Sequence, residues 1–290
     1  MVLCTHYHND HIANNGRVGR RKSPVIYHYK AQRKVRWLRT NSTGQIVMMY
    51  KELDRYGFLR RLGFFSNGAI RVIKKFTVLS DYIMPWLLFF VAWVLSIRMT
   101  GRIYTGRKRI AYLEPCELKN NDLGGFKIPS WKITEGLFAI ETPGHSDCHV
   151  AYYTPGNSTL FCGDALNFLS PNDIQFGSID DVLNSQKLIL EMVKKLHIER
   201  ICMGHYDPVT GNSEIIDYIQ DIIRRHEYMY RLVSEFLAKC GPGKTFSEMY
   251  TALQQIDDEM IKKLIKITFP RSTLVFLDVY LLKMIRERGM

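Results

Sequence analysis

The order of apolar and polar positions along the chain predicts a region of mixed strands and helices, followed by a region of helices alone. Five apolar stretches end in polar or turn-forming residues, as strands do before a loop: 1–4, 24–29, 137–145, 149–164 and 199–208. Two longer segments, 180–196 and 214–237, have apolar residues at helical spacing. The pattern therefore predicts an α/β body with a helical appendage.

Local signals refine this outline. The stretch HVAYYTPGNSTLFCGD (149–164) predicts a hairpin, because a Pro-Gly-Asn turn joins two apolar runs. The stretch TFSE (245–248) is a capping box that predicts the start of another helix, and 270–290 predicts a final, mostly helical segment. We expect a domain over 1–212 that contains an insertion at about 30–109, and a helical appendage over 213–290.

Composition adds a strongly uneven charge. The chain has 290 residues and a net charge of +12. Residues 17–109 contain 21 Lys and Arg but only three acidic residues, so this segment alone carries +18 and the remainder carries −6. The six cysteines are scattered without a CxxC pair, which indicates reduced thiols in a cytoplasmic protein. The basic character therefore belongs to one region.

Candidate ligands for metal ions follow the predicted strands. They lie in THYHNDH (5–11), TPGH (142–145), FCGD (161–164) and MGHYDP (203–208), and each is an imidazole or a carboxylate. These groups bind zinc, or iron or manganese. In an extended segment, His6 and His8 point the same way, whereas Asp10 and His11 come later and can face a second ion. Asp164 is the carboxylate available between the two ions.

This order of motifs resembles that of the metallo-β-lactamase superfamily. The resemblance implies an αββα sandwich in which one metal is bound by His6, His8 and His145. A second metal would be bound by Asp10, His11 and His205, and Asp164 would bridge the two ions. The stretches TPGHSDCHVAYY and LFCGDAL are most similar to glyoxalase II and a related β-lactamase-like branch, whose members cleave thioesters or lactones or cut RNA. The tail after His205 resembles a small winged-helix appendage.

One departure from the superfamily concerns the beginning of the chain. Its members normally have two or more strands before the first histidine motif, whereas only MVLCT precedes it here. We therefore expect either a truncated chain or a sandwich that lacks its N-terminal strands.

The expected function is a metal-dependent hydrolase that uses hydroxide bound to two divalent ions and acts on a small thioester or lactone. Zinc is the expected metal, with iron or manganese as alternatives. Asp10 would orient the nucleophile and take up its proton, in addition to binding metal. His149 is interpreted as a packing residue or one that orients a ligand. The other histidines, at 28, 197 and 226, lie in no motif.

The insertion contains 16 uncharged residues at 82–97, which is shorter than the ~20 that span a bilayer. A single crossing would separate His6 and His8 from His145, so the segment would instead dip into one leaflet, cover the site, pack in a dimer or form a buried helix. Basic flanks and three nearby tryptophans fit a membrane surface, contacted through 76–109.

Two alternative functions remain open. The basic segment interleaves Arg and Lys with aromatic residues, which suits a nuclease acting on RNA. A truncated, inactive metal-binding protein at a membrane surface is the non-enzymatic alternative.

Overall fold

The computed structural model describes residues 1–12, 15, 23–32, 110–167, 178–240, 244, 246–266, 280–281 and 284–285. The strands are β1 (Val2–Leu3), β2 (Val25–His28), β3 (Ile110–Leu113), β4 (Lys119–Asp122), β5 (Lys127–Thr134), β6 (Leu137–Glu141), β7 (Val150–Thr154), β8 (Thr159–Gly163), β9 (Arg200–Met203) and β10 (Val209–Thr210). The helices are α1 (Asn9–Ile12), α2 (Ile179–Leu196), α3 (Asn212–Cys240), α4 (Phe246–Gln254) and α5 (Glu259–Lys266). Short 3₁₀ turns cover Tyr29–Ala31, Pro115–Glu117 and Pro155–Asn157.

The described strands form two sheets. One has three strands in the order β1-β2-β3, all parallel. The other has seven strands in the order β10-β9-β8-β7-β6-β5-β4, in which only the β8–β9 pair is parallel. Strands β7 and β8 pair through the turn at Pro155–Asn157, which confirms the predicted hairpin. Residues that precede and follow this hairpin therefore meet at the ends of neighbouring strands.

The seven-stranded sheet has an apolar core on each face. On one face, Trp131, Ala139 and Tyr152 occupy paired positions on adjacent strands and pack against Leu3 and Ile26 of the small sheet. The opposite face packs against the apolar sides of α2 and of the first half of α3. Burial of these two faces in separate cores holds the ends of the strands in place, and the candidate ligands lie at those ends.

The helices predicted over 180–196 and 214–237 are present, with slightly different bounds, whereas most of the predicted final segment, 270–290, lies outside the described residues. The segment 180–196 is α2 and the segment 214–237 is the central part of the longer α3. Helix α2 begins with Ser178, whose hydroxyl accepts a hydrogen bond from the backbone N–H of Asp181, and ends at His197 in the left-handed region. Helix α4 begins at Phe246, while Thr245 of the predicted capping box lies outside the described residues.

The chain divides into two compact units. The first comprises 1–33 and 104–232, and the second comprises 34–103 and 233–290. In the second unit, Asp258 caps α5 through hydrogen bonds from the backbone N–H groups of Met260 and Ile261 to its Oδ1. The domain bounds and the winged-helix character of the appendage remain predictions.

The apolar run 82–97 lies outside the described residues, as does most of the basic insertion. Within the part of the chain that the structure describes, no helix has both the length and the apolar character needed to cross a bilayer.

Candidate metal centre

The first histidine motif follows directly on β1. His6 and His8 lie in the loop between this strand and the short helix α1, which carries His11. The backbone N–H of Val150 on β7 donates to the carbonyl of Thr5 (2.9 Å), which ties the motif to the large sheet. The Thr5 hydroxyl contacts His6 Nδ1 at 3.0 Å, so the Nε2 of His6 is the atom left to face the site.

His145 enters the site from the turn between β6 and β7. Gly144 before it has φ +136°, and a Cβ there would lie 2.6 Å from backbone atoms of Val182 on α2. The hydroxyl of Ser185 on the same helix donates to the carbonyl of Pro143 (2.6 Å). Helix α2 therefore packs tightly against this turn and fixes the position of His145, which only a glycine at 144 allows.

Three buried imidazoles converge at one point. His145 Nε2 lies 3.1 Å from His6 Nε2 and 2.8 Å from His8 Nδ1. One ligand atom from each of the three residues lies within 4.8 Å of the others, so a single cation could contact all three. Burial, together with the neighbouring histidines, lowers the pKa of His6 well below its usual value. His6 is therefore neutral, with a lone pair available to a cation.

Asp164 lies between this trio and a second pair of histidines. Its Oδ2 is 3.4 Å from His145 Nε2 and 3.9 Å from His6 Nε2. The same oxygen is 3.2 Å from His11 Nε2 and 3.3 Å from His205 Nε2, and those two nitrogens are 3.4 Å apart. Burial acts to raise the pKa of Asp164, but hydrogen bonds with His11 and His205 and the nearby His145 outweigh it. The net effect lowers the pKa, so the carboxylate remains ionised.

The backbone around Asp164 and His205 leaves little space. A Cβ on Gly204 would collide with Asp164 Oδ1 and lie 2.7 Å from His11 Cε1. The Gly-His motif after β9 is therefore required for the close approach of His205 to the carboxylate. The side chain of His205 is 44% exposed, whereas that of Asp164 is 1% exposed, so the site opens to solvent on the side of His205.

These residues fit a metal. The buried Oδ1 of Asp164 has no hydrogen-bond partner among the described residues, which is costly for a carboxylate unless a cation neutralises it. Two overlapping groups place one ligand atom from each residue within 4.8 Å of the others: His6, His8 and His145, and His6, His11 and Asp164. The donor atoms are all imidazole nitrogen or carboxylate oxygen, which matches the chemistry of zinc and iron sites.

The structure brings six of the seven predicted ligands together: His6, His8, His11, His145, Asp164 and His205. The backbone of Asp10 lies in α1, next to His11, but its side chain lies outside the described residues. The assignment of each residue to a metal remains a prediction, as does the catalytic role of Asp10.

His149 lies behind the ligands. Its Nε2 accepts the backbone N–H of Asp164 (3.2 Å), and its Nδ1 lies 2.8 Å from the hydroxyl of Thr142. Burial is the main cause that lowers its pKa to about 3, so the ring is neutral. This contact with the backbone of a ligand agrees with the interpretation of His149 as an orienting residue.

The sequence reasoning missed Gln186 and gave no role to His226. Gln186 is fully buried on α2, and its Nε2 donates to the carbonyl of Ala165, directly after Asp164 (3.3 Å). His226 on α3 lies with its Nδ1 2.9 Å from Gln186 Oε1. A polar residue on the apolar side of a predicted helix was the available signal for Gln186. His28 instead contacts Glu141, with 2.8 Å between its Nε2 and the carboxylate.

Two of the buried cysteines are poor nucleophiles. All six thiols are free, as expected, and all belong to described residues. Burial raises the pKa of Cys4 to about 11 and that of Cys162 further. A thiol with such a pKa is protonated at neutral pH and is a poor nucleophile.

Comparisons with known proteins agree with this geometry. Residues 132–205 match the sequence profile described as metallo-beta-lactamase superfamily. Hydroxyacylglutathione hydrolases from Legionella pneumophila strains Lens and Corby are 29% and 28% identical to this chain over 94 residues. The matched region covers 29% of this chain and 35% of each relative, so the chain spans only about a third of their length.

A solved structure gives the fold. The crystal structure of a metallo-beta-lactamase family protein from Thermus thermophilus has a TM-score of 0.52 and 17% sequence identity. The likeness covers 99% of this chain and 74% of that chain. The predicted fold class is therefore confirmed.

Proposed function

We propose that this chain, which has the metallo-β-lactamase fold, is a metal-dependent hydrolase of small thioesters or lactones. The observation that supports this proposal most directly is the approach of two groups of histidines to the single carboxylate of Asp164. Such a cluster of imidazoles around an ionised, buried carboxylate is suited to hold divalent cations.

We assign the ligands to two sets. His6, His8 and His145 would hold one cation, and His11 and His205, with Asp10, would hold the other. Asp164 lies within reach of both sets. Two bound zinc ions, or iron or manganese, would lower the pKa of a water toward ~7 and polarise the carbonyl under attack.

The residues of the chain contribute to this chemistry in three ways. The lowered pKa values of His6 and Asp164 keep lone pairs free at neutral pH. The partial exposure of His205 leaves an approach for substrate on its side of Asp164, while the trio of His6, His8 and His145 is buried. Asp10, at the start of α1, is the proposed acceptor of the proton from the attacking water.

The choice of thioesters or lactones rests on resemblance. The Legionella relatives are named for hydrolysis of hydroxyacylglutathione, which is a thioester. Attack of water on the acyl carbon of either a thioester or a lactone requires no Ser or Cys nucleophile.

The test is a panel of glutathione thioesters, other acyl thioesters and lactones, assayed with the chain loaded with Zn²⁺ or Fe²⁺. We expect turnover that falls at least about 100-fold in His6→Gln. His197→Gln is the matched control, because His197 is an exposed histidine at the end of α2. Hydrolysis that is equal in His6→Gln and the unaltered chain, or absent from both, would contradict the proposal.

The partner proposals depend on the basic segment 17–109, most of which lies outside the described residues. Its net charge of +18 is the observation that favours RNA as an alternative substrate. Metal-dependent cleavage of RNA, with binding that weakens steeply as salt rises, would support the nuclease. Co-sedimentation with anionic vesicles, with bound metal but without hydrolysis, would support the membrane-surface alternative.

A further inference from the structure

We propose that His149, Gln186 and His226 are positioning residues that hold the Asp164 loop, residues 163–167, so that its carboxylate stays between the two histidine sets. This inference rests on the metal centre of the proposed function and deepens it. None of the three side chains belongs to the predicted ligands. All three are buried, with 5% or less of each residue exposed.

His149 holds the loop from one side. Because the backbone N–H of Asp164 donates to His149 Nε2, that nitrogen carries no proton, and Nδ1–H donates to the hydroxyl oxygen of Thr142. The backbone N–H of Thr142 in turn donates to the carbonyl of His149 (3.0 Å). The imidazole thus has one tautomer and one orientation, and it links the residue after β6 to the backbone of Asp164.

Gln186 holds the loop from the side of α2. Its amide donates to the carbonyl of Ala165, while its Oε1 accepts a hydrogen bond from Nδ1–H of His226 on α3. The two contacts fix which end of the amide faces the loop. Two adjacent residues of the loop, Asp164 and Ala165, are therefore held through their backbone. His149, which directly precedes β7, contacts the first, and Gln186 on α2 contacts the second.

The local backbone explains why such support is required. Gly163 has φ +51°, and a Cβ there would lie 2.8 Å from both His149 Nε2 and Thr5 Oγ1. The loop thus passes close against the imidazole with no intervening side chain. The position of the Asp164 carboxylate is set by this backbone. A change in the peptide orientation would therefore move Oδ2 away from one histidine set or the other.

A hydrogen-bonding role and a packing role of His149 predict opposite orders of metal affinity for the Gln and Leu variants. Gln can place an oxygen near the position of Nε2 and accept the Asp164 N–H, whereas Leu fills the space without accepting it. If His149 only fills volume, Leu should be tolerated at least as well as Gln, because the two side chains are similar in size and Leu buries no polar group of its own. If His149 positions the loop, Gln should be the better replacement.

The experiment is titration of the metal-free chain with Co²⁺, followed by visible absorption and by competition with a chelator of known affinity. We expect His149→Leu and Gln186→Leu to weaken Co²⁺ binding about 10- to 100-fold, and His149→Gln to stay within about threefold of the unaltered chain. His226→Leu should weaken binding in the same direction through Gln186.

His28→Leu is the matched control for loss of a buried, hydrogen-bonded histidine, since His28 contacts Glu141 and no predicted ligand. Its Co²⁺ affinity should be unchanged within about threefold, even where its melting temperature falls. Circular dichroism shows which variants are folded. Should His149→Leu not fold, Thr142→Val against Thr142→Ser makes the same comparison, because Val removes the acceptor of Nδ1–H and Ser keeps it.

Equal Co²⁺ affinity of the Leu and Gln variants and the unaltered chain would overturn the positioning role while leaving the metal centre in place. Tighter Co²⁺ binding by His149→Leu than by His149→Gln would also overturn the positioning role and would show that His149 acts by packing. Failure of the unaltered chain to bind Co²⁺ would instead overturn the metal centre itself, and this inference with it.

Discussion

His8 Nδ1 lies 2.8 Å from His145 Nε2, although 137 positions separate the two residues in the chain. Both side chains are buried, and His6 Nε2 is only 3.1 Å from the same nitrogen of His145. A group of dehydrated imidazoles is most stable when a proton or a metal ion lies between the nitrogens. The approach of these atoms is therefore the basis of the expected metal dependence.

Asp164→Asn tests the carboxylate between the two histidine sets. The amide keeps the shape of the side chain but removes the charge that two cations would share, so we expect the zinc content to fall from about two ions to one or fewer. Turnover of a thioester should fall at least about 100-fold. Elemental analysis and initial rates, measured on the same preparation, check both.

Asp217→Asn is the control for this change, since Asp217 is an exposed residue on α3. It should keep the metal content and the rate of the unaltered chain. Two zinc ions per chain in Asp164→Asn would show that the carboxylate does not join the sites.

Gly204→Ala tests the close approach of β9 to the centre. The new Cβ would collide with Asp164 Oδ1, so either the carboxylate or His205 must shift. We expect metal affinity to fall at least about tenfold. Gly156→Ala is the matched control, because a Cβ there meets nothing within 4 Å. Equal metal affinity in the two variants would show that the site tolerates the displacement.

Gly144→Ala tests the packing of α2 against the turn that carries His145. Alanine would combine a φ of +136° with a contact of 2.6 Å to the backbone of Val182, and we expect the free energy of unfolding to fall by about 2–4 kcal/mol. Gly125→Ala has a positive φ (+87°) but no atom within 4 Å, so it should lose only about 1–2 kcal/mol. Urea denaturation of both variants without metal measures the difference, and similar losses would argue against tight packing at 144.

The buried histidines predict a loss of stability in acid. Burial lowers the pKa of both His149 and His226 from 6.5 to about 3. Between these values the unfolded chain binds the proton and the folded chain does not, so stability is complete above pH 6.5 and is lost as pH falls toward 3. Each such histidine contributes a slope of about 1.4 kcal/mol per pH unit.

Unfolding of His226→Gln in acid should bind one proton fewer than unfolding of the unaltered chain. Urea denaturation with a chelator at several pH values between 5 and 7 measures the free energy of unfolding. Its mean slope over this range should be about 1 kcal/mol per unit smaller in the variant, because the unfolded histidine is only half protonated at pH 6.5. An unchanged slope would mean that His226 is protonated in the folded chain. His226 is suited to the test because it contacts Gln186 and none of the predicted ligands.

Much of the centre could be predicted because its ligands follow local rules. Apolar runs that end at His6, His145, Asp164 and His205 have the period and length of strands, and the hairpin at 149–164 has a recognisable turn. These features depend only on neighbouring residues. The basic segment was equally visible from composition, but its role depends on contacts outside the described residues.

The sequence by itself determined the order and chemical type of the ligands, because residue type and strand-end position are local properties. Only the tertiary structure decided that His8 approaches His145 through Nδ1, while His6 approaches it through Nε2. The tertiary structure also decided that His149 and Gln186 hold the backbone of the Asp164 loop. These contacts depend on the register between β6, β7 and β8 and on the packing of α2 against the sheet. Such register and packing arise from the burial of many distant residues together, which the periodicity of a single segment does not contain.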